Sequence, residues 1–158
     1  MKTLMLVRHA QATESAIGLA DHARELTAHG IYQAAELGAT AMTRMGPPDQ
    51  LLASSAKRTQ STAAVLAAAF GLSGDYVQSQ DSLYLAPEDT LWQTVWATGD
   101  DVGCLMLVAH NPGLSDMVQA FDPMCPGLKT AQAFCVIFDV IHWHEANPGT
   151  SISAALVN

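Results

Sequence analysis

Strands alternating with helices along the chain predict an α/β fold, three layers (α/β/α) around a mostly parallel central sheet. Three observations carry that prediction. The run TLMLV at residues 3–7 and the run GCLMLVA at 103–109 are apolar almost throughout, as strands covered on both faces are. Stretches with apolar residues at helical spacing lie between such runs. Glycine and proline fall at the junctions, as Gly46-Pro47-Pro48, Gly71, Gly74 and Pro112-Gly113.

Residues 3–7 form the first strand, and residues 10–26 read as loop, with Gly18, Asp21 and Arg24 in it. Thr27 suits an N-cap, followed by a helix whose stripe is Ile31, Ala34, Ala35, Gly38, Ala41, Met42 and Met45. Gly46-Pro47-Pro48 stops it. Residues 50–53 form a short strand, and Ser54 or Ser55 caps a second helix with the stripe Thr62, Val65, Leu66, Ala69 and Phe70. Gly71 and Gly74 end that helix, and residues 76–78 read as an edge strand. Pro87 suits the first position of a helix carrying Leu91, Trp92, Val95 and Trp96. After the strand at 103–109 comes His110-Asn111-Pro112-Gly113, then a helix bearing Leu114, Val118 and Phe121. Residues 133–141 give a further strand and 151–157 the last.

The chain's 158 residues suit one domain, and no apolar run approaches the ~20 residues of a membrane span. Arg8 interrupts the N-terminal apolar run and no small-residue cleavage site follows it, so no signal peptide is expected. Cys104, Cys125 and Cys135 lack C-x-x-C spacing and are expected to be buried, reduced thiols in a cytoplasmic protein. A net charge of −8 argues against nucleic acid or an anionic membrane as partner. Only seven lysines and arginines are present, and Arg8, Arg24, Lys57 and Arg58 fall in or beside candidate motifs. An acidic protein that gathers its few arginines is expected to bind a small anion.

The two best strands end alike, TLMLV in Arg8-His9 and LMLVA in His110. Ligands of open α/β sheets sit outside the carboxyl ends of the strands. Adjacent parallel strands would therefore bring His9 and His110 to one ligand, with Arg8 arriving beside His9. Arg58 shares the stripe of Thr62 and Val65, so it faces the sheet near the same edge. The helix start at Asn111-Pro112-Gly113 adds free N–H groups. Two histidines, two arginines and a helix start make a phosphate site, because the guanidinium fork matches phosphate oxygens in pairs. A neutral imidazole is also a good nucleophile toward phosphorus.

Four motifs occur in order over residues 1–138: Val7-Arg8-His9-Ala10; Arg24-Glu25-Leu26-Thr27 with Gly30; Ser54-x-x-x-Arg58-x-x-x-Thr62-Ala63; and Val108-Ala109-His110-Asn111-Pro112-Gly113. Together they resemble the histidine phosphatase superfamily, with its phosphoglycerate mutase-like fold. The short chain, the RHAxA opening and the HNPG segment are similar to its phosphohistidine-phosphatase, SixA-like branch. The resemblance implies a metal-independent hydrolase without cofactors, with His9 as the phosphorylated nucleophile and Arg8, Arg58 and His110 around the phosphoryl group. Its substrate would be a phosphohistidine-bearing protein, or alternatively a small phosphate ester handled by a phosphatase or mutase.

Arg24 is read as either pocket mouth or loop salt bridge, and Asn111 as a substrate-binding residue. Larger relatives carry a helical insertion with a carboxylate acid, which this chain lacks. Glu88 and Asp89 are the candidates left for a proton donor, although acids in a helix's first turn also offset its dipole. His142 and His144 have the spacing of one strand face, yet without a cysteine or carboxylate at ligand spacing no metal is expected there. His22 and His29 are read as loop or surface residues. Two other classes stay open: a non-catalytic phosphate-binding module, and a metallohydrolase ligated by His9 and His110, which nearby arginines disfavour.

Overall fold

The computed structural model describes residues 1–157. Ten principal elements alternate as expected: β1 (Lys2–Arg8), α1 (Ala28–Met45), β2 (Gln50–Ser54), α2 (Lys57–Ala69), β3 (Val77–Gln80), α3 (Glu88–Trp96), β4 (Cys104–Ala109), α4 (Gly113–Gln119), β5 (Ala133–Phe138) and β6 (Ser151–Leu156). The six strands form one sheet in the order β3-β2-β4-β1-β5-β6. β1, β2, β3 and β4 run parallel, while β5 is antiparallel to β1 and β6 to β5. The α/β expectation holds.

Side chains alternate across a strand, so each apolar run feeds two cores. Leu4 and Leu6 of β1, with Leu105 and Leu107 of β4, pack toward Leu91, Trp92 and Val95 of α3 and Leu114 and Val118 of α4. Met5 and Val7, with Met106 and Val108, pack on the other face toward Leu37 and Ala41 of α1 and Ala63, Leu66 and Ala67 of α2. The helix after β1 thus covers one face and the helix after β4 the other. Such a divergence between adjacent strands opens a crevice at their carboxyl ends.

The helices correct several expectations. Thr27 caps α1, its hydroxyl oxygen accepting from Gly30 N at 2.9 Å. The inward stripe, however, is Gly30, Ala34, Leu37, Gly38 and Ala41, while Ile31 (52% exposed) and Met42 (43%) face solvent. Two glycines set that rotation. A Cβ on Gly30 would lie 2.0 Å from Gln11 O, and one on Gly38 would lie 2.6 Å from the Ala69 Cβ of α2. Hydrophobic spacing cannot see such close approaches. Neither Ser54 nor Ser55 caps α2; the N-cap is Ala56, without a side-chain cap. Pro87 sits at the N-cap of α3, one residue earlier than expected.

β5 stops at Phe138, where its register against β6 shifts, and Ile141 is 73% exposed. His142 and His144 therefore lie not on a strand but at a 3-10 turn, Trp143–Glu145, with their rings stacked 5.4 Å apart. His142 Nδ1 pairs with Asp100 Oδ2 at 2.7 Å. The segment 10–26 holds a 3-10 turn, Asp21–Ala23, and one bridge, Ala12 to Leu26. All three cysteines are free; Cys125 is buried, but Cys104 and Cys135 are only half-buried. Burial still pushes the Cys104 thiol up to about 12 and Cys135 up to about 11. No helix among the described residues is long and apolar enough to cross a membrane.

Candidate active site

β1 and β4 are paired in register up to Arg8 and Ala109, so the residues that follow, His9 and His110, leave the sheet side by side. Their ring centroids are 5.2 Å apart. Both are buried, at 8% and 2% exposure, which is unusual for titratable side chains. Arg58, in the first turn of α2, reaches the same place at 1% exposure.

Arg58 organises the site. Its Nε donates to His9 Nε2 at 3.3 Å, and its Nη2 lies 3.2 Å from His110 Nδ1. Nη1 donates to Asp21 O at 2.8 Å, and Nη2 to Asp21 Oδ2 at 3.1 Å. A guanidinium only donates, so both imidazole nitrogens it faces carry lone pairs. The opposite nitrogens agree. His9 Nδ1 donates to Ala10 O at 2.8 Å, and His110 Nε2 donates to Ser54 Oγ at 2.7 Å. Both rings are thereby fixed in one neutral tautomer. Burial, and then the Arg58 charge, depress them, His9 to about 4 and His110 to about 3.

Thr62 anchors the turn after β1: its Oγ1 accepts from Ala10 N at 3.0 Å, and its hydroxyl donates to Arg58 O at 2.7 Å. Arg8 Nη1 donates to Leu128 O at 3.0 Å, leaving its buried Nε without a partner. Asp21 is the anionic member. It accepts from Arg24 Nε (2.9 Å) and from the Tyr84 hydroxyl (2.5 Å) as well as from Arg58. The Tyr84 hydrogen bond, with help from the two arginines, lowers its carboxyl to about 2.

These groups line a cavity of about 360 Å³ bordered by Arg8, His9, Asp21, Arg24, Arg58 and His110, with Gln11, Ala12, Leu85, Asn111 and Thr130 completing it. Three guanidinium charges outweigh one carboxylate, as a site for a dianion requires. Arg24 fills both roles considered for it, since it lines the cavity and pairs with Asp21. Asn111 lines the cavity too, though its amide donates to Leu128 O and its Oδ1 accepts from Ser115 Oγ. Glu88 and Asp89 are not among the lining residues, and Glu88 Oε1 accepts from Trp92 Nε1 on its own helix. A second cavity, about 320 Å³ beside β2, β3 and α3, is lined by neutral side chains such as Gln50, Gln80, Thr90 and Gln93. No three His, Cys, Asp or Glu side chains are grouped to hold a metal among the described residues.

Sequence reasoning missed four contributors. Ser54 resembled a helix cap yet serves His110, and His22, left as a loop residue, pairs with Ser55 Oγ and packs 4.9 Å from the Tyr84 ring. Asp21 had a signal in its i, i+3 spacing to Arg24. Tyr84 had none, because nothing local announces a hydroxyl whose partner lies 63 residues away.

The family model of the histidine phosphatase superfamily (branch 1) matches residues 4–81. No curated protein sequence matches the chain. Among solved structures, a protein assigned as the phosphohistidine phosphatase SixA of Agrobacterium tumefaciens aligns with a TM-score of 0.77 and 27% identity, over 85% of this chain and 90% of its own. One similarly assigned from Nakamurella multipartitia gives 0.75 at 24% identity, over 98% and 92% of the two chains. The protein histidine phosphatase SixA in complex with tungstate gives 0.77 at 17% identity, over 97% and 96%. The last two, below 25% identity, bear on fold alone. The family model over residues 4–81, the four motifs in order and the similarity to the Agrobacterium tumefaciens structure support the histidine phosphatase superfamily, with the build of its short SixA-like branch.

Proposed function

We propose that the protein hydrolyses phosphohistidine through a covalent phosphoryl intermediate on His9. The observation that carries this reading is the state of the His9 ring. Nδ1–H is tied to Ala10 O, so the lone pair is on Nε2, where only the 3.3 Å hydrogen bond from Arg58 Nε has to yield to an incoming phosphorus, and the ring is neutral down to about pH 4. In the first step Nε2 bonds to phosphorus, the bond to the leaving atom breaks, and its electron pair departs with that atom. Water then attacks the same phosphorus, the P–Nε2 bond breaks, and the pair returns to the imidazole. Water supplies the oxygen and both protons of the dihydrogen phosphate released. Arg8 and Arg58 would hold the equatorial oxygens, with the unpartnered Arg8 Nε available as one donor. Such fixed charges need no rearrangement as the transfer proceeds.

The finer reading, phosphoramidate over ester, rests on proton supply. His9, His110 and Asp21 all titrate well below neutrality, so none carries a proton to give at pH 7. An alkoxide leaving group needs such an acid. A phosphohistidine does not, because solvent protonates its far ring nitrogen beforehand and the group leaves as neutral imidazole. The similarity to the Agrobacterium tumefaciens protein assigned as a phosphohistidine phosphatase points the same way.

The test pairs rates with trapping. Phosphohistidine peptides are expected to turn over faster than a panel of sugar phosphates, in the presence of EDTA. Acid-labile, base-stable phosphate is expected on the wild-type protein and is lost in His9→Ala, which stays folded because the side chain ends a strand without filling the core. Near-normal activity in His9→Ala would remove the covalent mechanism.

A further inference from the structure

Two non-glycine residues among the described ones adopt positive φ, Leu85 at 49° and Ala131 at 51°. Leu85 lines the site cavity, while Ala131 follows its lining residue Thr130 and donates its N–H to His9 O at 3.1 Å. Left-handed backbone is costly for a side chain with a Cβ and persists where surrounding contacts impose it. Those contacts are visible on either side of Leu85. Tyr84 is held by its hydroxyl on Asp21 Oδ2 and by its ring, 5.6 Å from that of His110. Ala86 is 4% exposed, and its carbonyl oxygen lies where a Cβ on Gly113 would come within 2.0 Å. With both neighbours pinned, the backbone between them turns through the left-handed region.

Glycine or asparagine would make that turn with less strain. Leucine gains little from burial in exchange, being 51% exposed. A lone exposed leucine is ordinary on a protein surface. This one is strained, apolar and set at the edge of a cavity otherwise bordered by arginines, histidines and small or polar residues. Its chain neighbours tie it to His110 and the segment after it, Tyr84 through its ring against His110 and Ala86 through its contact with Gly113. In-line transfer to His9 sends the leaving group away from His9.

We propose that Leu85 determines leaving-group specificity, forming an apolar lip that favours an unsaturated ring over a polyhydroxyl group on the departing atom. The inference rests on the reading of His9 as nucleophile. A flat ring such as imidazole or phenyl buries apolar area on the leucine, whereas a sugar or glycerol hydroxyl placed there loses water without gaining a partner.

The experiment compares kcat/KM for phenyl phosphate and glycerol phosphate in wild type, Leu85→Asn, Leu85→Gly and Leu85→Met, alongside a phosphohistidine peptide. Asparagine and glycine both fit the backbone, so one serves if the other fails to fold, and thermal midpoints check each. The phenyl-to-glycerol ratio is expected to fall about tenfold in Leu85→Asn and Leu85→Gly, the scale of a small change in a hydrophobic contact, and to be kept in Leu85→Met. An unchanged ratio, or an equal fall for both esters, overturns the assignment. Wild type that favours glycerol phosphate over the peptide, with the ester ratio still dependent on Leu85, removes the phosphohistidine reading and leaves the lip. A strong peptide preference that survives Leu85→Asn together with an unchanged ester ratio does the reverse.

Discussion

At the scale of single residues, Arg58 and His110 separate binding from chemistry. Arg58 touches both imidazoles while its charge faces the cavity, so its loss should act on transfer more than on substrate binding. Arg58→Ala is expected to lower kcat by ~10²-fold or more with a smaller change in KM. A rise in KM alone would reduce the residue to holding ground-state phosphate. His110 offers Nδ1 as an acceptor in the free protein, because Arg58 donates to it and Ser54 Oγ accepts from Nε2–H. The neutral ring thereby holds Arg58 in place beside the transferred phosphoryl group. His110→Ala is accordingly expected to form phospho-His9, only far more slowly, in mass spectrometry of the trapped intermediate. Phosphate mapped to residue 110 of the wild type and absent from residue 9 would exchange the two roles.

Elements deliver these groups because small residues let them approach. Gly30 brings the first turn of α1 against the backbone of Gln11, and Gln11 O accepts from Thr27 N at 3.0 Å, so the loop after His9 is fastened to the helix start. An alanine at a helix position normally gains ~1 kcal/mol over glycine. Here its Cβ would sit 2.0 Å from a carbonyl oxygen that cannot rotate away. The clash outweighs the propensity, and Gly30→Ala is expected to destabilise by ~2 kcal/mol or more, read as a lower urea midpoint at unchanged m. A gain in stability would mean that the loop after β1 is free of α1. The same logic explains the stripe of α1: Gly38 against Ala69 chooses the inward face, and Ile31 and Met42, apolar at helical spacing, are left outside.

Across the whole molecule, a site of buried neutral histidines leaves a mark on stability. His9 and His110 titrate at about 4 and about 3 when folded, against an ordinary value of 6.5. As pH falls below 6.5 the unfolded chain binds protons that the folded chain refuses, so their contribution is complete above that value and is lost toward pH 4 and below. Asp21, held at about 2, adds a loss of the same sign below its ordinary 3.8. The urea midpoint is expected to fall between pH 7 and pH 4, and a His9→Asn/His110→Asn double variant should flatten that slope. An equal slope in the variant would assign the acid sensitivity elsewhere. The strands, their apolar faces and the histidines at two strand ends were legible in the sequence, since a doubly covered strand must be apolar at every position and a polar residue must wait for its end. The pairing of β1 with β4 turned those two ends into one site, as their shared pattern implied. What tertiary structure alone decided is who partners whom. Asp21 lies 37 residues from Arg58 and 63 from Tyr84, and the Ser54 hydroxyl oxygen accepts from a histidine 56 residues away. Periodicity reports which face of an element is buried; the partners on that face depend on strand order and on the path of the loops, which no local pattern encodes.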